Sequence, residues 1–297
     1  MKLSQLALVV FWMAGALLSF SGMALGIRNL GGIFTTFEIL ALRTGCGLVA
    51  MLAIGASQPH LFRSFTLHRI GLHAVRNGTH LIAQYLWTAS IAFLPLATVF
   101  ALEFTAPAWT TLLAVLLLGE KLTAARVATV ACGFVGVLLI VRPGLATFQP
   151  AALLVLSAAF GYSVTYAATK KLTTTESTFA IILWMNLMQF PIAYAASDPL
   201  FFLRIDTGTL PGALIVGFGG LSSHYCLTKA LAAGDASVVI PLDFLRLPLI
   251  AFLAWLLYGE PLNPMVFAGG GLIFSGVLWS LRAEARRTAK LRAGQKA

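Results

Sequence analysis

Charge is what this sequence has least of. Of its 297 residues only 10% are charged, while 59% are hydrophobic, and the mean hydropathy is +0.90. A soluble domain carries about 25% charged residues, so too few charges exist here to clothe a water-facing surface, which argues against a soluble globular protein. Acids are scarcer than bases: 10 Asp and Glu stand against 20 Lys and Arg. The resulting net charge of +10 could suggest nucleic acid. The bases, however, gather at the ends of apolar segments and in the tail, as membrane orientation requires, and a nucleic-acid partner is set aside. Cysteine is limited to Cys46, Cys132 and Cys226, an odd number, all within apolar runs. They read as small buried residues, with neither a disulfide framework nor a metal site. Also missing are His-Glu-x-x-His, Gly-x-Ser-x-Gly and a nucleotide-binding Gly-rich loop. No catalytic residue, metal or cofactor is assigned, and the chain is read as not an enzyme.

Apolar runs of about 20 residues, the length that crosses a bilayer, are what the chain does have. Ten are expected: 6–27, 36–55, 71–92, 96–118, 124–141, 150–168, 178–197, 210–231, 236–257 and 264–281. The first is longer than the core of about 7–15 residues in a signal peptide. The expected fold class is thus an all-α integral membrane protein of ten transmembrane helices, with the lipid bilayer as a partner.

The chain also repeats itself. YLWTASIAFLPLATVFALEFTAPAWTTLLAVLLLGEKL, from Tyr85 to Leu122, is answered without a gap by YCLTKALAAGDASVVIPLDFLRLPLIAFLAWLLYGEPL, from Tyr225 to Leu262, at an offset of 140. Leu102 matches Leu242, Phe104 matches Phe244, and Glu103 becomes Asp243, which keeps the carboxylate. Gly119-Glu120 matches Gly259-Glu260, and Gly136-Val137-Leu138 matches Gly276-Val277-Leu278. The expected division is 1–144 for the first repeat, 145–282 for the second and 283–297 for a basic tail. Five spans per half is an odd number, so the halves enter the membrane from opposite sides, as a 5+5 inverted repeat about an axis in the membrane plane. Thr123 and Asn263 are expected to cap the spans that follow each Gly-Glu.

Charge sets the expected orientation. With the N-terminus in the cytoplasm, Lys2, Arg63, Arg69, Arg76, Lys121, Arg126, Lys170, Lys171 and the tail bases from Arg282 to Lys296 lie inside; Arg28, Arg142 and Arg204 lie outside. That bias places both termini in the cytoplasm of a multi-pass inner-membrane protein. Stripes of small residues, such as Gly15, Ser19, Gly22 and Gly26, or Gly217 and Gly220, suit close helix packing in lipid.

Arg43, Lys229 and Arg246 fall within spans, as do Glu103 and Asp243, while Glu38 lies near the outer end of the second. A charge at mid-bilayer costs at least about 2.5–3.5 kcal/mol, so each must meet a partner or a watered cavity. Lys229 lies near a span end and is expected to snorkel. For Glu103 and Asp243 two readings stand side by side: structural pairing with Arg43 and Arg246, or contact with a substrate. Asp243 and Arg246, three residues apart, can pair locally. Pro107, four residues after Glu103, and Pro241 and Pro248 should break their helices, and irregular backbone at that depth belongs beside a cavity. His80, Gln84 and Trp87 follow the i, i+4, i+7 spacing of one helix face, with Tyr85 beside them. Gln84-Tyr85 is matched in the repeat by His224-Tyr225. Hydrogen-bonding groups next to aromatic plates suit a flat or zwitterionic small-molecule substrate, with interhelical bonding as the plainer role. His80 and His224 are of the residue type that titrates near neutral pH and can carry protons. In the seventh span Asn186 and Gln189 are the polar groups nearest the level of Arg43.

These stretches resemble the drug/metabolite transporter superfamily, of the ten-helix type with two EamA domains. The resemblance is carried by FEILALR at 37–43, Arg76-Asn77 at the opening of the third span, LPLATVFALEFTAPAWTTLLAVLLLGE at 94–120 and LLYGE at 256–260. The third and fourth spans are most similar to S-adenosylmethionine uptake transporters. The resemblance implies two inverted halves, a central cavity and alternating access, hence a secondary transporter of a small polar or zwitterionic metabolite such as an amino acid or S-adenosylmethionine. In that reading Glu103 and Asp243 attract an amino group and Arg43 and Arg246 a carboxylate. Tyr85, Trp87 and Tyr225 form aromatic walls, with His80, Gln84 and His224 as further substrate-binding groups. A non-transporting membrane scaffold or receptor, or a membrane-embedded enzyme, would be the alternatives.

Overall fold

Away from water, a chain must satisfy its backbone hydrogen bonds internally, and an apolar run of about 20 residues does so as an α-helix. The computed structural model describes residues 3–90, 93–94, 96–141, 150–258 and 264–294. Its α-helices fall on the ten expected segments. Eight are single helices: α1 (Leu3–Leu30), α2 (Thr36–Ser57), α3 (Ile70–Ser90), α6 (Ala124–Val141), α7 (Ala152–Leu172), α8 (Thr178–Ala195), α9 (Leu210–Ala233) and α12 (Pro264–Gly294). The other two are broken where the prolines require it. The fourth segment is α4 (Leu96–Glu103) followed by α5 (Ala106–Leu118). The ninth is α10 (Ala236–Val239), a 3-10 stretch (Ile240–Leu245) and α11 (Arg246–Tyr258). The starts of α4 and α10, and those of α5 and α11, are separated by the same 140 residues as the sequence repeat.

Local signals set the ends. Thr35 and Glu38 form a reciprocal capping box on α2, and the Ser177 hydroxyl accepts from the Ala180 amide at the start of α8. Thr123 accepts from the Arg126 amide, as expected of a cap on α6. Gly119 closes α5 with φ of 67°, a left-handed turn that favours glycine. Gly259-Glu260, Asn263, Arg142 and the expected repeat boundary at 144/145 lie outside the described residues, as do Lys2 and Lys296.

Packing follows the repeat. α1 packs on α9 and α3 on α7; α2 packs on α8 and α6 on α12; α5 packs on α7, while α11 and the 3-10 stretch before it pack on α1. Exchange of the two halves maps this set of contacts onto itself, the signature of a pseudo-two-fold axis. With five segments in each half, the axis makes the halves inverted. The small-residue stripes serve the tight α1–α9 contact: Gly26 faces Val216 and the Gly212 carbonyl, and Ser222 donates to Ser19 Oγ at 2.9 Å.

Polarity is arranged inside-out. Val49, Leu116, Phe218 and Phe267 point outward, whereas Arg43, His80, Glu103, His224 and Arg246 are buried. Five helices (α1, α2, α7, α8 and α9) are individually long and apolar enough to cross a membrane. α3 is long enough but spends one face on His73, Arg76, Asn77, His80 and Gln84, all turned inward.

Two basic residues counted as loop charges are in fact interior. Arg76 is 1% exposed, because the α3 face that carries it packs on α7, where Thr169 receives its Nε. Arg126, at 2%, is held by carboxylates from both halves. Cys46, expected to be buried, has an exposed side chain; it lies on the flank of α2 beside Gly217. Lys229 lies over the Tyr225 ring, 5.6 Å from its centre.

Candidate functional site

The two helix breaks bring chain ends to the middle of the bundle. Glu103 is the last residue of α4 and Arg246 the first of α11. Arg246 Nη2 donates to Glu103 Oε1 at 2.5 Å and to Asp243 Oδ2 at 3.0 Å. One guanidinium therefore joins two carboxylates that are each other's counterparts in the repeat. Glu103 Oε2 accepts from Trp87 Nε1 at 2.7 Å. Phe20, Phe100 and Phe104 place their rings 5.4–5.9 Å from the guanidinium carbon, adding cation–π attraction to a desolvated charge.

A second cluster is built on Arg43 of α2. Its Nη2 donates to Gln189 Oε1 of α8 at 3.0 Å, and its Nη1 lies 3.2 Å from His224 Nε2 of α9. A guanidinium has no acceptor, so His224 Nε2 accepts and that ring is neutral. Gln189 Nε2 donates to the Asn77 carbonyl at 3.2 Å and to His80 Nδ1 at 2.9 Å. His80 Nδ1 also lies 3.3 Å from Gln189 Oε1. Its ring meets that of His224 edge-on, with centres 4.6 Å apart. Behind them Arg76 Nη1 donates to Asn77 Oδ1 at 2.6 Å. Among the described residues no carboxylate pairs with Arg43 or Arg76, so two buried positive charges rest on neutral partners.

Between the clusters is a cavity of about 40 Å³, room for roughly three waters. Arg43, His80, Gln84, Trp87, Glu103, His224 and Arg246 line it, as the sequence suggests. Asp243 stands behind Arg246. Of the expected aromatic walls only Trp87 is there. Tyr85 is 40% exposed and stacks on Phe37, with ring centres 4.8 Å apart. Tyr225 meets Trp12 edge-on at 5.9 Å, away from the cavity. The helical period explains Tyr85: one residue past Gln84 turns the side chain about 100°. The walls that sequence reasoning missed are Tyr162 and Tyr166 of α7, stacked at 6.4 Å. Their spacing of four on one helix face was the available signal.

Each end of the bundle is also tied across the halves. At one end Glu38 of α2 pairs with Arg204, whose Nη1 donates to the Ile33 carbonyl at 3.0 Å. At the other, Arg126 Nη2 meets Asp235 Oδ2 at 2.6 Å, and its Nη1 donates to Ser237 Oγ at 2.7 Å. Glu120 accepts from the Ala236 and Ser237 amides at 2.7 and 3.0 Å and from the Ser237 hydroxyl, and so caps α10.

Residues 7–142, and again 149–282, match the EamA-like transporter family. The chain belongs to the EamA-like transporter family. This EamA-like transporter is similar to a riboflavin transporter of Rhizobium johnstonii, 34% identical over 77% of this chain and 80% of the relative. A riboflavin transporter of Vibrio cholerae is 27% identical over 92% and 94%. An S-adenosylmethionine uptake transporter of Rickettsia felis is 22% identical over 92% of each. A solved crystal structure superposes with a TM-score of 0.78 at 18% identity, over 97% of this chain and 99% of that one, a likeness of fold alone. The EamA-like chain is thus a multi-pass membrane transporter for a small molecule, and its family and relatives are named for transport, not for catalysis.

Proposed function

We propose that this transporter carries a flat, uncharged or anionic heteroaromatic metabolite of the riboflavin class across the inner membrane, with both its termini in the cytoplasm. The observation that carries this reading is Arg43: a buried guanidinium with no carboxylate partner among the described residues, in a cavity walled by Trp87, Tyr162 and Tyr166. The expected balance of charges, which favoured a zwitterion, does not carry over to this cavity. Arg246 occupies both Glu103 and Asp243, and the unspent charge is positive. A substrate with net positive charge at about 6 Å from Arg43 would be repelled by about 3 kcal/mol at an effective dielectric of about 20, roughly a hundredfold in affinity. This separates a neutral flavin from a cation of the S-adenosylmethionine type. The relatives named for riboflavin support the same choice.

The proposed mechanism is alternating access by rocking of the two inverted halves. A space of about 40 Å³ admits no metabolite, so the halves must part before a substrate can enter. The Glu38–Arg204 tie and the Glu120–Arg126–Asp235 tie close opposite ends, and each must release in turn. Purified protein in liposomes preloaded with riboflavin should accumulate labelled riboflavin by counterflow and should not accumulate S-adenosylmethionine. Preference for the cation would reverse the assignment; flux of neither would reject it.

A further inference from the structure

The cavity wall leaves certain polar groups uncommitted. Among the described residues Trp87 is bonded to Glu103, both acids to Arg246, His80 to Gln189 and His224 to Arg43. Among the described residues that line the cavity, Gln84 Oε1, Arg43 Nε and Arg246 Nε are buried and have no protein partner. Gln84 sits on the inward face of α3, one turn from His80, and is 8% exposed. A buried acceptor without a donor is costly. Arg43 is held in place from outside the cavity. Its methylenes lie against Gly220, where a Cβ would collide with its Cγ and Cδ. The guanidinium itself is held by Gln189 and His224.

A carboxamide offers one acceptor and one donor side by side. It forms a two-bond pair with any group that presents N–H next to C=O, the logic by which Asn and Gln read the edge of a base. The Arg43 guanidinium, on the same cavity wall, adds a further donor. Together they offer one acceptor and donors that can flank it. The complementary edge is a cyclic imide: one N–H flanked by two carbonyls.

We infer that Gln84 and Arg43 read an imide edge of the substrate, Gln84 taking the N–H and returning a bond to one carbonyl while Arg43 donates to the other. This rests on the proposed function, and it names the end of the flat ring system that seats between α2 and α3. Gln84 is thereby the residue that sets specificity, and Trp87, Tyr162 and Tyr166 supply surfaces for the ring that follows.

The test uses the unaltered protein in liposomes, with riboflavin and its 3-methyl analogue, in which the imide N–H is replaced by N–CH₃. The parent should take up riboflavin with at least about tenfold preference, the value of one buried hydrogen bond. In Gln84→Ala and Gln84→Leu the preference should fall to about twofold or less, through loss of riboflavin affinity. Equal handling of both flavins by the parent overturns the inference and leaves the proposed function standing. A preference that survives in both variants overturns the role of Gln84. Failure of the parent to move riboflavin at all rejects the proposed function, and this inference with it.

Discussion

Glu103 Oε1 lies 2.5 Å from Arg246 Nη2, although the two residues are 143 apart in sequence and belong to opposite halves. Each stands at a helix break, so the contact joins the end of α4 to the start of α11. Breaking a buried pair by neutralising one partner costs about 3–5 kcal/mol. Glu103→Gln should therefore lower the thermal midpoint of the detergent-solubilised protein and reduce transport. Asp243→Asn, on a more open side chain, should cost less. A double-mutant cycle of Glu103→Gln with Arg246→Gln should return a coupling above about 1 kcal/mol; additive effects would mean that the pair is not formed.

Gly220 offers a test of Arg43 that leaves its charge in place. Gly220→Ala puts a methyl group where the Arg43 stem lies. The methyl should displace the guanidinium from His224 and Gln189 and cost about 1–3 kcal/mol of stability by overpacking. Transport should fall at least about tenfold. Gly71→Ala, with nothing within 4 Å of the new methyl, is the control and should behave as the parent.

The ties at the two ends should control access separately. In a chain with Cys46, Cys132 and Cys226 replaced by serine, a cysteine at Thr88 reports on the cavity. Arg204→Gln should raise its labelling by an impermeant maleimide several-fold from one face of the membrane, and Arg126→Gln from the other. Labelling raised from the same face by both would contradict their assignment to opposite gates.

Asp206 gives a pH dependence outside the membrane. Its carboxylate accepts from the Gly208 and Thr209 amides and the Thr209 hydroxyl, and these bonds, the Thr209 amide first, hold its pKa below the ordinary aspartate value. A lowered folded pKa stabilises the loop above the unfolded value, near 4, and that support is lost as pH falls through the folded value. Amide exchange at Thr209 should accelerate in that acidic range, and Asp206→Asn should show fast exchange at neutral pH with no acid step.

Much of the fold was legible because its signals are local. Runs of apolar residues marked the segments, and Pro107, Pro241 and Pro248 marked the breaks. The odd number of spans per half fixed the inversion, and the i, i+4, i+7 spacing found the face of α3. The Asp243–Arg246 pair was visible for the same reason, three residues apart across the junction of the 3-10 stretch and α11. The partners of Arg43 were not, since Gln189 and His224 lie 146 and 181 residues away and no spacing rule reaches that far. Tyr85 and Tyr225 do not line the cavity, because repeat matching selects whatever both halves keep, including residues that pack away from it. Arg76 misled because a base near a helix start resembles a loop charge until the neighbouring helix is placed over it.

On the proposed function, a flat, non-cationic ring binds in the cavity around Arg43. Stacking on Trp87, Tyr162 and Tyr166 should quench flavin fluorescence, so titration of riboflavin with the purified protein tests it most directly. Saturable quenching that is weakened at least about tenfold by Arg43→Gln, with S-adenosylmethionine unable to compete, is the predicted result. Quenching that does not saturate, or that Arg43→Gln leaves unchanged, would contradict it.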